Sequence, residues 1–174
     1  MQQLILVNEN DVQVGTAEKM EAHKLALLHR AFSIFIFNRK GEMLLQQRAL
    51  SKYHSGGLWT NACCSHPYNK QGTKQAAEKR LMEEMGFTIP LTKAFEFIYK
   101  AVFDNGLTEY EYDHVFIGVY EGEIKPAVDE VINYCYMSVA DVKNSIESHP
   151  QKYTEWFKIA FPKLENYLAQ NSLQ

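Results

Sequence analysis

The chain has 174 residues, of which 46% are hydrophobic, so it is long enough to bury one sizeable core and short for two domains. Its 18 basic and 21 acidic residues are dispersed along the sequence and give a formal net charge of -3, which excludes a broad basic face and argues against nucleic acid as a partner. A small anionic substrate stays compatible with this charge, because a few local cations can make a positive pocket. We expect a single domain over residues 1–174 with one active site.

The N-terminal segment and the cysteines bear on where the protein works. The first residues lack a basic start and their apolar run spans only Leu4 to Val7, so we expect neither a signal peptide nor a membrane anchor. Three cysteines, two of them adjacent at Cys63 and Cys64, are too few for a disulfide framework and fit a reducing compartment. These features predict a cytoplasmic protein without a membrane partner, and they leave its oligomeric state open.

Two regular elements are predicted in the first half of the chain. Residues 32–37 and 43–47 are rich in β-forming side chains and are separated by a four-residue turn with glycine late in it, which predicts a hairpin. Residues 73–85 contain neither glycine nor proline, with Thr73 as a candidate N-cap and Gly86 at the position where a helix C-cap favours positive φ. This pattern predicts a helix.

The second half continues the alternation of strands and helices. Residues 95–103 and 109–120 flank an Asp-Asn-Gly turn, which predicts a second hairpin. Ser138 can cap a short helix, and a last helix from Thr154 should kink or restart at Pro162. One helical stripe of that last segment carries apolar side chains, namely Trp156, Ala160, Leu164 and Leu168. The whole pattern predicts an α+β (mixed α/β) fold, with a mixed sheet covered by helices.

The segment from Asn61 to Pro67 is the richest in reactive side chains. If it is extended, side chains alternate between faces, so Cys64 and His66 point the same way and Cys63 points to the other face. One thiol would then be available for chemistry. The alternative is that both thiols are small buried hydrophobic groups and that His66 is an ordinary loop residue.

Two carboxylates lie at the start of the predicted strand that follows the second turn. Glu109 and Glu111 are two residues apart and therefore share a face of the strand. They would repel each other unless a cation lay between them, and a divalent metal would leave one carboxylate able to move protons. The alternative is a solvated edge strand.

Histidines supply further candidate metal ligands. His23 and His29 are six residues apart, about 240° around an α-helix, so an irregular segment would be needed to bring both to one ion. Three imidazoles and two carboxylates would suit a borderline divalent ion such as Zn²⁺, Mn²⁺ or Fe²⁺. We assign His54, His114 and His149 to ordinary core or surface positions.

The helix that ends at Gly86 resembles the end of a Nudix box. Lys79 and Arg80 replace the Arg-Glu pair of that signature, Ser65 stands fourteen residues upstream of Lys79 in place of glycine, and Gln71 takes the position of a glutamate. A Nudix hydrolase depends on a cluster of carboxylates that bind several metals and activate water. The lost acids argue against an ordinary hydrolase.

The departures resemble the type 1 isopentenyl-diphosphate isomerases, a family marked by Asn-x-x-Cys-x-His-Pro and a later Glu-x-Glu. These motifs stand here at residues 61–67 and 109–111. The similarity covers nearly the whole chain and includes Gly15 to Lys19, His23 and His29, Arg48 to Lys52, Gly57 to Asn61, Tyr99 and Trp156. Cys63 beside Cys64 and the close spacing of the first two histidines depart from the family pattern.

The resemblance implies a Nudix-like mixed sheet between helices, and it implies two metals. One is a divalent ion, Mn²⁺, Zn²⁺ or Mg²⁺, in a buried six-coordinate site that would be built from His23, His29, His66, Glu109 and Glu111. The other is Mg²⁺ carried by the substrate and held through Glu84 and the backbone carbonyl of Cys64. The resemblance implies a prenyl diphosphate bound by Lys19, Arg48, Lys52 and Arg80. Since the sequence has no glycine-rich dinucleotide loop, we expect no organic cofactor.

The resemblance implies proton addition and removal at a double bond. We assign Glu111 with Tyr99 to protonation, Cys64 to removal of the proton at the other carbon, and the π face of Trp156 to stabilising the carbocation. Two alternatives remain at this point. One is a Nudix hydrolase that cleaves a nucleoside or prenyl diphosphate, and the other is a metal-binding module without activity.

Overall fold

The computed structural model describes residues 3–171, which form nine strands, four α-helices and one 3-10 turn. The strands are β1 (Gln3–Val7), β2 (Gln13–Glu18), β3 (His29–Phe37), β4 (Glu42–Arg48), β5 (Trp59–Thr60), β6 (Cys63–Ser65), β7 (Thr92–Val102), β8 (Thr108–Val119) and β9 (Val131–Ser138). The helices are α1 (Lys19–Lys24), α2 (Thr73–Met85), α3 (Val139–Ser148) and α4 (Glu155–Gln170), with the 3-10 turn at Pro150–Lys152.

The strands join into one mixed sheet with β3 near its middle. β3 pairs with β8 in parallel along its whole length, from His29 opposite Glu111 to Phe37 opposite Val119. The second predicted hairpin is confirmed, because β7 and β8 pair antiparallel around the Asp-Asn-Gly turn. The sheet therefore brings residues more than eighty positions apart into register.

The turn of the first predicted hairpin is confirmed, but its two strands separate directly after the turn. Phe37 opposite Met43 is the one residue pair that joins β3 to β4. Beyond it β4 pairs with β9 and β5, while β6 takes the edge of β3 that β4 has left. The separation of the two strands places β6, with Cys63 and Cys64, directly against β3.

Helices cover both faces of the sheet. Side chains alternate along β3, so both of its faces offer apolar side chains for a helix to pack against. Phe32, Ile34 and Ile36 pack with buried residues of α2 such as Leu81, whereas Phe35 and Phe37 pack on the other face with residues of α4. The α+β prediction with a sheet between helices is confirmed. No helix within residues 3–171 is both long enough and apolar enough to cross a bilayer.

The helix ends follow the expected chemistry with two corrections. Gly86 caps α2 in the left-handed region at φ 77°, where an added Cβ would lie 2.4 Å from the carbonyl oxygen of Lys125. The N-cap of α2 is Gly72 rather than Thr73, which is already the first helical residue. The hydroxyl of Ser138 accepts from the amide of Asp141 and caps α3, as predicted. The second correction concerns Pro162, where a kink or a restart was predicted: α4 continues through this residue, so the restart is ruled out.

Candidate active site

A polar cleft with about 540 Å³ of empty space, part of it open to solvent, lies beside β3, β6 and β8. Its walls bring together residues from most of the chain. Among them are the residues predicted to bind or act on a substrate, namely Lys19, Arg48, Lys52, Cys64, His66, Arg80, Glu84, Tyr99, Glu109, Glu111 and Trp156. His23 and His29 are fully buried close behind this wall.

Three histidines cluster at the inner end of the cleft. His23 lies in α1, His29 is the first residue of β3, and His66 follows β6. Their ring centroids are 4.9 to 5.7 Å apart. The helix α1 ends at Lys24, and the turn that follows contains Ala26 at φ 51°, so the irregular segment expected between the first two histidines is present.

Backbone hydrogen bonds fix how two of these imidazoles face the cluster. Nδ1 of His23 lies 2.7 Å from the carbonyl oxygen of Lys19, and Nδ1 of His29 lies 2.7 Å from that of Leu27. A carbonyl oxygen can only accept, so each Nδ1 carries the proton and each Nε2 presents a lone pair. Burial lowers the pKa of His23, and it lowers the pKa of His66 to about 3. Burial acts on His29 as well, but the carboxylate of Glu111 outweighs it and raises the pKa of His29 instead. The lone pairs that His23 and His29 direct into the cluster suit metal ligation.

The carboxylates reach the cluster through strand register. Glu111 is the partner of His29 across β3 and β8 and of Tyr99 across β7 and β8. Its Oε1 lies 2.8 Å from Nε2 of His66 and 3.5 Å from Nε2 of His29. The hydroxyl of Tyr99 lies 2.6 Å from Oε2 of Glu111 and 3.0 Å from Oε2 of Glu109, so it joins the two carboxyl groups.

The two carboxyl groups differ in their affinity for protons. Burial and the charge of Glu111 raise the pKa of Glu109. Burial pushes the pKa of Glu111 upward as well, but the facing imidazoles of His66 and His29 outweigh it and hold this pKa well below its usual range. Burial also raises the pKa of Tyr99, which keeps the phenol protonated as a donor.

The residues of this cluster fit a divalent metal ion. Donor atoms of His23, His29, His66 and Glu111 all lie within 4.8 Å of one another. Nε2 of His23 is buried and has no hydrogen-bond partner among residues 3–171, and the Nε2 atoms of His29 and His66 face each other at 3.2 Å. Convergent nitrogen lone pairs and carboxylate oxygens are the donor set that borderline divalent ions prefer.

His54 was assigned to an ordinary core or surface position, and this assignment is wrong. Its imidazole lines the cleft, and together with His23 and Glu109 it forms a second group of possible ligands within 4.8 Å of one another. The other two assignments agree with the structure. His114 lies outside the cleft, 3.0 Å from a carboxylate oxygen of Asp11, and His149 is exposed.

The two adjacent cysteines have different surroundings, as the alternation predicts. Asn61 donates its side-chain amide to the carbonyl oxygens of Ile34 and Cys63, which holds β6 on β3. Cys63 is fully buried in the core beneath α2, whereas Cys64 lines the cleft with His66. Burial raises the pKa of the Cys64 thiol, and the nearby Arg48 acts in the opposite direction.

Two cations of the cleft, Arg80 and Lys52, are held by acidic partners. A guanidinium nitrogen of Arg80 lies 2.5 Å from Glu84 and 3.3 Å from Glu130, and Lys52 forms an ion pair with Glu130. These cations hold the pKa of Glu130 below its usual range although partial burial opposes them. Our sequence analysis missed Glu130, since no motif or spacing distinguishes it from the other surface acids.

Comparison with known proteins decides the family. Isopentenyl-diphosphate Delta-isomerase 2 of Photorhabdus laumondii is 50% identical to this chain over 171 residues, which make up 98% of this chain and 94% of that protein. The isopentenyl-diphosphate Delta-isomerase of Pectobacterium atrosepticum is 45% identical, over 95% of this chain and 92% of that protein. The model of the NUDIX domain matches residues 27–157. The chain belongs to the isopentenyl-diphosphate Delta-isomerase family of NUDIX domain proteins.

Solved structures agree with a Nudix fold for this member of the isomerase family. The MutT protein from Methanosarcina mazei is 19% identical and superposes with a TM-score of 0.67, over 83% of this chain and 96% of that chain. The Nudix hydrolase RenU from M. smegmatis is 16% identical with a TM-score of 0.62, over 98% of this chain and 97% of that chain. At these identities the likeness shows the fold alone.

The degraded Nudix box of this isomerase-family chain has a visible structural outcome. Of the paired acids near the end of α2, Glu84 is buried and lines the cleft, whereas Glu83 is exposed and bonded to Arg80. The side chain of Gln71 accepts from the amide of Tyr68 and serves a turn. Of the four glutamates that line the cleft, two come from β8 and one, Glu84, comes from the helix of the box.

Proposed function

We propose that this protein interconverts isopentenyl diphosphate and dimethylallyl diphosphate by adding a proton at one carbon and removing one at another. The observation that carries the proposal is the relation of Cys64 to Glu111. β6 and β8 flank β3 on opposite sides, with Cys64 in register with Ser33 and Glu111 in register with His29, and both side chains line the same cleft. A five-carbon chain between them would meet proton-carrying groups at both ends.

Protonation is assigned to Glu111 with Tyr99. An isolated double bond is a poor base, so the donor must be strong and water must be excluded from the cation that forms. Both side chains are buried and joined by a hydrogen bond. A divalent ion, Mn²⁺, Zn²⁺ or Mg²⁺, would supply positive charge that makes the groups around it more acidic. The residues proposed to hold it are His23, His29, His66, Glu109 and Glu111.

Removal of the proton from the other carbon is assigned to Cys64. The thiolate is the form that accepts a proton, and Arg48 favours it while burial opposes it. In the reverse reaction the thiol donates and the carboxylate side accepts. This role needs a free thiol, and all three cysteines are free, which fits a reducing compartment such as the cytoplasm.

The part of the cleft that carries Lys19, Arg48, Lys52 and Arg80, here called its cationic end, is proposed to bind the diphosphate. Charge-assisted contacts position an anion without acting on the double bond directly. The diphosphate would replace Glu130 as the partner of Lys52 and Arg80. We propose that Mg²⁺ carried by the substrate is held through Glu84 and the backbone carbonyl of Cys64. The proposed diphosphate ligands are Lys19, Arg48, Lys52 and Arg80.

Trp156 is proposed to stabilise the carbocation. The guanidinium of Arg48 lies 5.0 Å from the ring centroid, so the indole already holds one cation. Trp156→Leu should lower kcat about 30-fold, the equivalent of a desolvated cation–π contact of roughly 2 kcal/mol, and should change KM less, since the carbocation exists only along the reaction path. Steady-state kinetics would test this, with Trp156→Phe as a control that keeps a π face. A change confined to KM would leave Trp156 as a packing residue that supports Arg48.

The proposed reaction can be tested by proton NMR. Purified protein, Mg²⁺ and isopentenyl diphosphate in D₂O should yield dimethylallyl diphosphate, with deuterium entering the methyl and methylene positions of an intact diphosphate. Release of phosphate or pyrophosphate instead would support a Nudix hydrolase. Bound divalent metal without any change of the substrate would support a module without activity.

A further inference from the structure

The loop formed by residues 49–58 folds over the cleft between the proposed metal and diphosphate sites. Side chains from outside the loop hold the backbone of its middle residues. Asn105, in the turn between β7 and β8, donates to the carbonyl oxygen of Tyr53 at 3.3 Å, and Arg48 donates to the carbonyl oxygen of His54 at 3.3 Å. The loop also carries Lys52, one of the proposed diphosphate ligands, and His54 two residues later.

The imidazole of His54 is packed on aromatic rings. It stacks on Phe103 at a centroid distance of 4.5 Å and an interplanar angle of 13°, and it meets Trp156 edge-on at 5.8 Å. Its side chain is only 4% exposed. The ring orientation is therefore determined by packing, and Nε2 is directed inward.

Nε2 of His54 points at Glu109. It lies 3.2 Å from Oε1, an ion-pair contact whose angle is outside hydrogen-bond geometry, and it has no other polar partner within residues 3–171. The other oxygen of Glu109 receives the hydroxyl of Tyr99. Contacts of this kind in a site without its ligands commonly tighten when the ligands bind.

A hydroxyl beside Nδ1 allows His54 a tautomer different from that of the proposed metal ligands. Its Nδ1 lies 3.2 Å from the hydroxyl oxygen of Ser55, which can donate a proton to it. Nε2 would then carry the proton and would donate to Glu109 rather than present a lone pair. His23 and His29 have the opposite arrangement, because their Nδ1 atoms donate to backbone carbonyls.

We propose that His54 is a positioning residue of the metal centre, which holds one oxygen of Glu109 so that this carboxylate is oriented for the divalent ion. The proposal rests on the metal centre of the proposed function. It also gives the loop of residues 49–58 a second task, because one loop then supports the metal ligand through His54 and the diphosphate through Lys52. Partners of metal ligands typically contribute 10- to 100-fold to metal affinity.

Metal affinity provides the test. In His54→Phe the ring stack on Phe103 is kept and the donor to Glu109 is lost, so we expect Mn²⁺ to bind roughly 10- to 100-fold more weakly in calorimetric or paramagnetic-resonance titrations. At limiting Mn²⁺ the turnover of His54→Phe should fall with its metal affinity. At saturating Mn²⁺ this turnover should return, with KM for the diphosphate changed less than about threefold. His54→Gln, whose side-chain amide can donate to the carboxylate, should recover most of the affinity. His149→Phe serves as the matched control, since His149 is exposed outside the cleft.

The outcomes separate the two proposals. If the unchanged protein binds Mn²⁺ and His54→Phe binds it equally well, the positioning role is wrong and the metal centre stands. If His54→Gln binds Mn²⁺ as weakly as His54→Phe does, the proposed orientation of Glu109 through a donated hydrogen bond is wrong. If the unchanged protein binds no divalent ion, the proposed metal centre fails and this inference fails with it. Equal thermal melting of the metal-free variants would show that misfolding is not the cause of a weaker affinity.

Discussion

Cys64→Ser is expected to bind the diphosphate and to lose double-bond migration by about 10²- to 10⁴-fold, the usual contribution of a positioned acid or base. A serine hydroxyl has nearly the shape of the thiol but is far less acidic, so it cannot carry the proton at the second carbon. Cys64 lines the cleft beside His66, while the diphosphate would bind at the cationic end. Affinity for the diphosphate should therefore survive. Turnover and binding can be measured separately by proton NMR and by calorimetry.

Cys63→Ser is the matched control for this prediction. Cys63 is fully buried beneath α2 and faces away from the cleft, so activity should remain, with a loss of stability of about 1–3 kcal/mol from a hydroxyl in an apolar setting. Bound substrate should protect Cys64 from alkylation. An inactive Cys63→Ser beside an active Cys64→Ser would show that the motif is displaced by one residue. If both variants are active, the thiol takes no part in proton transfer.

Glu111→Gln is expected to abolish isomerisation, with a loss of at least about 10²-fold, because the amide replaces both a proposed metal ligand and a proton carrier. The carboxylate of Glu111 contacts His66, His29 and Tyr99, so no other side chain of the cleft makes the same set of contacts. Glu109 lies nearby, but it reaches Tyr99 through its own Oε2 and faces His54 with Oε1. Turnover in the NMR assay is the measurement.

A suitable control for the glutamate variant is Glu123→Gln, which changes an exposed acid outside the cleft. It should leave both turnover and divalent-metal affinity unchanged. If Glu111→Gln keeps turnover within tenfold of the unchanged protein, Glu111 cannot be the proton carrier. A loss that is fully restored by excess metal would reduce its role to metal binding.

Local chemistry made much of the fold predictable. Glycine and asparagine predict both turns, and the absence of glycine and proline predicts the helix of residues 73–85. All three elements are present. The alternation of side chains along an extended strand also placed Cys63 and Cys64 on opposite faces correctly. These features depend on neighbours within a few residues, which a single sequence contains.

Contacts between distant residues were not predictable in the same way. The parallel register that sets His29 opposite Glu111 depends on how two strands dock, and no local pattern encodes it. His54 and Glu130 reach the cleft because loops fold back over it, so a lone histidine and a lone glutamate carried no signal in the sequence. Of the kink or restart expected at Pro162, the restart does not occur, because buried residues on both sides, Phe161 and Leu164, keep α4 docked on the sheet.

The placement of the proposed ligands on elements of unequal size would give the proposed metal centre an uneven mobility. His29 and Glu111 lie in β3 and β8, interior strands whose hydrogen bonds open only when most of the domain unfolds. His23 lies in a helix of six residues, too short to be stable alone, which is held by Ala22 in a small cluster with Leu4 and Ala17. Local fraying of α1 can withdraw one imidazole while the others stay in place. We therefore expect an ion bound at the proposed centre to enter and leave on the α1 side on a much shorter timescale than global unfolding.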